Sequence, residues 1–78
     1  MPGLRNVNAR AVVDFLKANG FSEHRQKGSH LIFISSDGKR LAIVPMHGTK
    51  SIPIGTLLSI LRMSGLTRDA LEAFLERQ

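Results

Sequence analysis

The hydrophobic positions of this chain recur with a helical spacing near its start and again in its last third, and as short runs in between. Ala9, Val12, Val13 and Leu16 follow the i, i+3, i+4, i+7 order that lines one face of a helix. Asn8 is placed to cap the first turn by accepting from one of its free N–H groups. Val7 and Val12 fit a hydrophobic staple across that cap. Lys17 lies where the helix dipole favours a cation, and Gly20 where a left-handed residue stops a helix. Together these features predict a helix over about residues 8–19.

The middle reads as strands. Phe21 to Lys27 is mostly polar and suits an exposed edge strand. His30 to Ser35 holds the apolar run Leu31, Ile32, Phe33 and Ile34, and Arg40 to Val44 returns as a third strand that Pro45 ends. Gly28-Ser29 marks one tight turn. Ser36-Asp37-Gly38-Lys39 marks the next, with Asp37 and Gly38 expected in left-handed conformations. Both faces of the central run are apolar, so helices are expected on one face and a partner over part of the other. After a loop at 46–52, Ile54, Leu57, Leu58 and Leu61 form a second helical stripe that begins at Pro53 or Ile54 and stops at Gly65. Thr67 caps a short final helix with Asp69 near its positive end, Leu71, Phe74 and Leu75 form its packing side, and the piece reads as an appendage.

The order is α-β-β-β-α with a short C-terminal helix. It predicts an α+β fold, a three-stranded antiparallel sheet with helices on one face. Double-stranded RNA-binding domains share this order and read A-form RNA by shape and phosphate contacts. Seventy-eight residues allow a single domain, 1–78, and 42% hydrophobic residues argue against disorder. The chain has no cysteine, which removes disulfides, thiolate metal sites and a Cys nucleophile. It has no apolar run of membrane-spanning length, and no signal-length run follows Met1-Pro2-Gly3-Leu4-Arg5, so the expected location is cytoplasmic with no membrane partner.

Charge adds a direction. The net charge is +5, with a pI near 10.9, which favours a polyanionic partner. Residues 24–50 hold Arg25, Lys27, Lys39, Arg40 and Lys50 against Asp37 alone, a net +4, together with all three histidines. His24, His30 and His47 are separated by six and seventeen residues, which matches no zinc signature, so no metal or other cofactor is expected. His30 is the candidate for chemistry. It opens a strand directly after Lys27-Gly28-Ser29, where glycine permits close approach of a phosphate and lysine supplies charge. Histidine can exchange a proton near neutral pH, and RNA carries its own nucleophile in the 2′-OH. A strand histidine on a solvated edge fits the same spacing. A non-catalytic RNA-binding module and a protein-interaction domain fit the same fold and charge.

Several short motifs taken in order go further. Leu16-Lys17-Ala18-Asn19-Gly20-Phe21, Gly28-Ser29-His30 before an apolar strand, Val44-Pro45-Met46-His47-Gly48, Gly55-Thr56-Leu57, Ile60-Leu61 and Ser64-Gly65-Leu66 together resemble the HicA family of toxins, over about Val7 to Phe74. The resemblance implies an mRNA interferase with a double-stranded-RNA-binding-domain-like fold, neutralised by a HicB antitoxin that covers the active site. It implies that His30 is catalytic, with Gly28 and Ser29 as its motif neighbours. One histidine does not serve as both base and acid, and His47, in the Pro-x-His-Gly motif, is the candidate for a second contributor. Arg25, Lys27, Lys39, Arg40 and Lys50 would then hold RNA phosphates. Leu31 and Ile34 depart from the family, where polar residues are common, and are expected to alter the antitoxin contact.

Overall fold

The structure, a computed structural model, describes residues 4–46, 48 and 50–77. Its order is α1 (Ala9–Ala18), β1 (Phe21–Lys27), β2 (His30–Ser35), β3 (Leu41–Pro45), α2 (Ile54–Ser64) and α3 (Arg68–Glu76). The strands form an antiparallel meander in the order β1-β2-β3. The helices cover one face of this sheet, giving the expected α+β architecture. No helix among the described residues is long and apolar enough to cross a membrane.

Local chemistry explains the helix boundaries. The Asn8 side chain accepts from the Ala11 N–H at 2.9 Å, and Val7 and Val12 on either side of the cap are both buried. Asn19 and then Gly20, at φ +86°, end α1. Gly65 ends α2 at φ +75°, a conformation that a side chain would resist. Thr67 caps α3 by accepting from the Ala70 N–H at 3.0 Å.

The core lies between sheet and helices. Leu31, Phe33, Ala42 and Val44 point inward from β2 and β3 and meet Val12, Phe15 and Leu16 of α1 and Leu57 and Ile60 of α2. The third helix is part of this core and not an appendage. Leu71 is fully buried, and the Phe74 ring stands 5.5 Å from that of Phe15 at 60°. The apolar stripe of α2 also differs from the sequence expectation. Leu57, Ile60, Leu61 and Ser64 are buried, whereas Ile54 and Leu58 are exposed. Both sets have helical spacing. Ser64 is tolerated inside because its hydroxyl donates to the Leu61 carbonyl at 3.0 Å.

The two hairpin turns work differently. At Gly28-Ser29, Gly28 alone is left-handed, at φ +60°, as the first central residue of a type II′ turn requires. In the second hairpin only Gly38 is left-handed, at φ +75°, and Asp37 is not. The Asp37 carboxylate instead accepts from the Ser35 hydroxyl at 2.6 Å and the Lys39 N–H at 2.9 Å. Its role is that of a short side-chain acceptor which closes the turn.

A bulge in β1 decides what each face carries. The pairing with β2 shifts between Glu23 and Arg25, leaving His24 as the extra residue. Strand side chains alternate, so Phe21, Arg25 and Lys27 would share one face of a regular strand. The extra residue inverts the alternation once. Phe21 enters the core at 6% exposure, while Arg25 and Lys27 stay on the opposite face.

Candidate active site

His30 is the first residue of β2 and lies exposed on the sheet face that the helices leave open. Cross-strand pairing arranges this face in rows. Lys27, His30 and Pro45 form the first, Arg25, Ile32 and Ile43 the second, and Ser22, Ile34 and Leu41 the third. Residues of the first two rows, with Gly28, line an open cleft of about 530 Å³: Lys27, Gly28, His30, Ile32 and Ile43. That volume lies within the range of small-ligand sites.

The turn sets the cleft's end wall. Lys27 and His30 are direct partners across Gly28-Ser29, so an ammonium and an imidazole stand on neighbouring strands at one end of the sheet. A Cβ built on Gly28 meets nothing within 4 Å, so glycine is required there by the backbone's positive φ and not by crowding. The Gln26 side chain donates to the Gly28 carbonyl at 3.1 Å, and the Met46 N–H donates to the Ser29 carbonyl at 2.6 Å. The second bond ties the end of β3 to the turn that precedes His30.

The cations expected to bind RNA fall into groups. Arg25 and Lys27 share the open face with His30. Lys39 and Arg40 lie beyond the other end of β2, about 17 Å from His30 at the rise of an extended strand. Arg40 already has a place there: a Cβ on Gly65 would stand 3.0 Å from its guanidinium carbon. A cation at the C-terminal end of α2 is favoured by the helix dipole. Lys50 is exposed, beside Ser51, whose bridge to Asn8 ties the loop to the start of α1. Among the described residues the ion pairs are Arg10–Asp14 and Arg68–Glu72, and neither uses a cation of the 24–50 stretch. His47 lies outside the described residues.

Ile32 and Ile43 complete the cleft, and neither motif nor charge singles them out in the sequence. They form a cross-strand pair and the apolar floor beside His30. The alternation of Ile32 and Ile34 with the inward Leu31 and Phe33 was the signal for them. The same alternation divides the two departures from the family pattern. Leu31 is in the core, so the expectation that it alters a partner contact does not hold, whereas Ile34 is on the open face.

The model of a family described as the HicA toxin of bacterial toxin–antitoxin systems matches residues 9–66, from the start of α1 to just beyond α2. No curated protein matches the chain.

Proposed function

The chain belongs to the HicA toxin family, and on that premise we propose that it is an endoribonuclease that cleaves messenger RNA at His30, arrests growth and is neutralised by a HicB-type antitoxin. The observation that carries this reading is the position of His30. It is exposed, it faces an open cleft, and it is paired across a tight turn with Lys27.

The reaction needs three things from the protein. A base takes the proton from the 2′-OH, and the 2′-oxygen attacks the adjacent phosphorus. The bond to the 5′-oxygen breaks, leaving a 2′,3′-cyclic phosphate, and that oxygen takes up a proton. Cationic donors stabilise the charge that develops on the phosphoryl oxygens. His30 serves as the base for the 2′-OH or as the acid for the 5′-oxygen. Lys27, with Arg25 one row behind it, supplies the positive charge. A second proton carrier completes the set. His47, supplied by the Pro45-Met46-His47-Gly48 motif that carries the family resemblance, is the candidate. The attacking group belongs to the substrate, so the proposed reaction runs without a metal.

Purified protein incubated with RNA in EDTA tests the reading. The wild-type chain is expected to cut the RNA. His30→Ala is expected to lose at least about 100-fold in rate, the usual contribution of a positioned acid or base. RNA that is bound but uncut by the wild type would make the chain a binding module. Full cleavage by His30→Ala would remove His30 from the chemistry.

A further inference from the structure

We propose that the open sheet face seats an unpaired RNA base on Ile32 and Ile43, so that the substrate taken at His30 is single-stranded. The inference rests on the ribonuclease reading and adds to it the form of the RNA. The floor of the cleft is the Ile32–Ile43 cross-strand pair, and its polar groups stand at the rim, on Lys27 and His30. A phosphate would gain nothing from two isoleucines and would lose hydration above them. An RNA duplex offers a protein its phosphates, its 2′-hydroxyls and a shallow minor groove, while its base faces stay stacked inside. An aliphatic floor has no counterpart on that surface. An unpaired strand exposes what fits: a base with a flat apolar face beside a charged backbone.

The row order places these parts in sequence. Lys27 and His30 lie in the row at the turn, and Ile32 and Ile43 lie one row, about 7 Å, further along the strands. A phosphate held at the first row leaves its neighbouring base over the second. Arg25, the β1 partner of Ile32, stands on the same row for the next stretch of backbone. Ile32 and Ile43 are the apolar side chains that line the cleft, so the platform is aliphatic and the specificity it confers is for an exposed base face.

Fluorescence anisotropy with 2′-O-methyl RNA tests this on the wild-type chain, because that RNA lacks the attacking hydroxyl. Three probes are compared: a single strand, the same strand in a duplex, and an abasic strand with the same number of phosphates. The single strand is expected to bind about tenfold tighter than the other two, the effect of covering on the order of 50 Å² of apolar isoleucine surface. The double substitution Ile32→Thr and Ile43→Thr keeps β-branching and is expected to remove that advantage while leaving duplex and abasic binding unchanged. If thermal melting shows the double variant unfolded, the three-probe comparison on the parent decides alone. Equal binding of duplex or abasic RNA by the parent overturns the proposal. So does undiminished single-strand binding by a folded double variant, which would leave the apolar face to a protein partner. Failure of the ribonuclease reading is seen separately, in the EDTA cleavage assay, and does not alter the binding comparison.

Discussion

Gly28 separates two demands that a single residue often combines. Its φ of +60° excludes most side chains, yet a Cβ there would touch nothing. A substitution is therefore penalised through the backbone alone. Gly28→Asn should cost less than a branched residue, because asparagine is among the residues that occupy the positive-φ positions of hairpin turns. Gly28→Val should cost about 1–2 kcal/mol, because its branched Cβ meets the neighbouring carbonyl. Urea unfolding of the two variants checks this order, and equal midpoints would contradict it. Cleavage should fall further for Gly28→Val than stability alone explains, since the turn fixes His30 opposite Lys27. His30 itself is exposed, and its replacement by alanine should leave the melting temperature near that of the parent. Phe33 presents the opposite case. It is fully buried at the centre of β2, and Phe33→Ala should cost about 3–5 kcal/mol, a large part of the stability of so small a domain.

Among the elements, β1 shows best what the sequence disclosed and what it withheld. Its polar composition marked it as an exposed strand, and Phe21–Lys27 is its observed span. The bulge at His24 left no trace in the pattern, because it depends on the β2 residues that β1 must oppose. The stripe of α2 was ambiguous for a related reason: two sets of positions share the helical period, and the polar Ser64 disguised the buried one. Caps and turns were easier to read, since Asn8, Gly20, Gly65 and Thr67 act through their own backbone or side chain. The candidate site was legible as far as His30 and its turn. Its apolar floor required knowing which faces of β2 and β3 the helices cover. Deleting His24 tests the bulge directly. With the Gly28-Ser29 turn retained, the register pushes Phe21 out of the core, and the melting temperature should fall by more than about 10 °C. His24→Ala keeps the extra residue and should melt close to the parent. At the other hairpin, the Ser35 hydroxyl and then the Lys39 N–H hold the Asp37 carboxyl below its ordinary range. Its stabilising effect is present above about pH 4, where the unfolded chain's carboxyl ionises. It is lost as pH falls through the lower folded value. An NMR titration of the Lys39 amide should follow that loss, and Asp37→Asn should abolish the dependence.

Across the whole molecule, the basic charge concentrated in residues 24–50 is divided by the fold. Arg25 and Lys27 stand beside His30, while Lys39 lies about 17 Å away past the far end of β2. Arg40 is set against the end of α2. These positions give RNA length a consequence. Each phosphate contact releases counterions, so removing one lysine contact lowers the salt dependence of binding by about one unit of log–log slope. Lys27→Ala should show that loss with short and long RNA alike, and should slow cleavage as well, because Lys27 is the cross-strand partner of His30, where the reaction is proposed. Lys39→Ala should show it only with RNA long enough to run the length of the sheet, and should leave cleavage of a short substrate unchanged. Arg40→Ala should cost about 0.3–1 kcal/mol of stability through the end of α2 and change the salt slope little. Binding measured from low to moderate salt with RNA of two lengths separates the three variants. If Lys39→Ala slowed cleavage of the short substrate as much as Lys27→Ala, the RNA could not follow the open face away from His30. The basic stretch would then act as a diffuse field, and the order of rows on the sheet would have no bearing on where the strand lies.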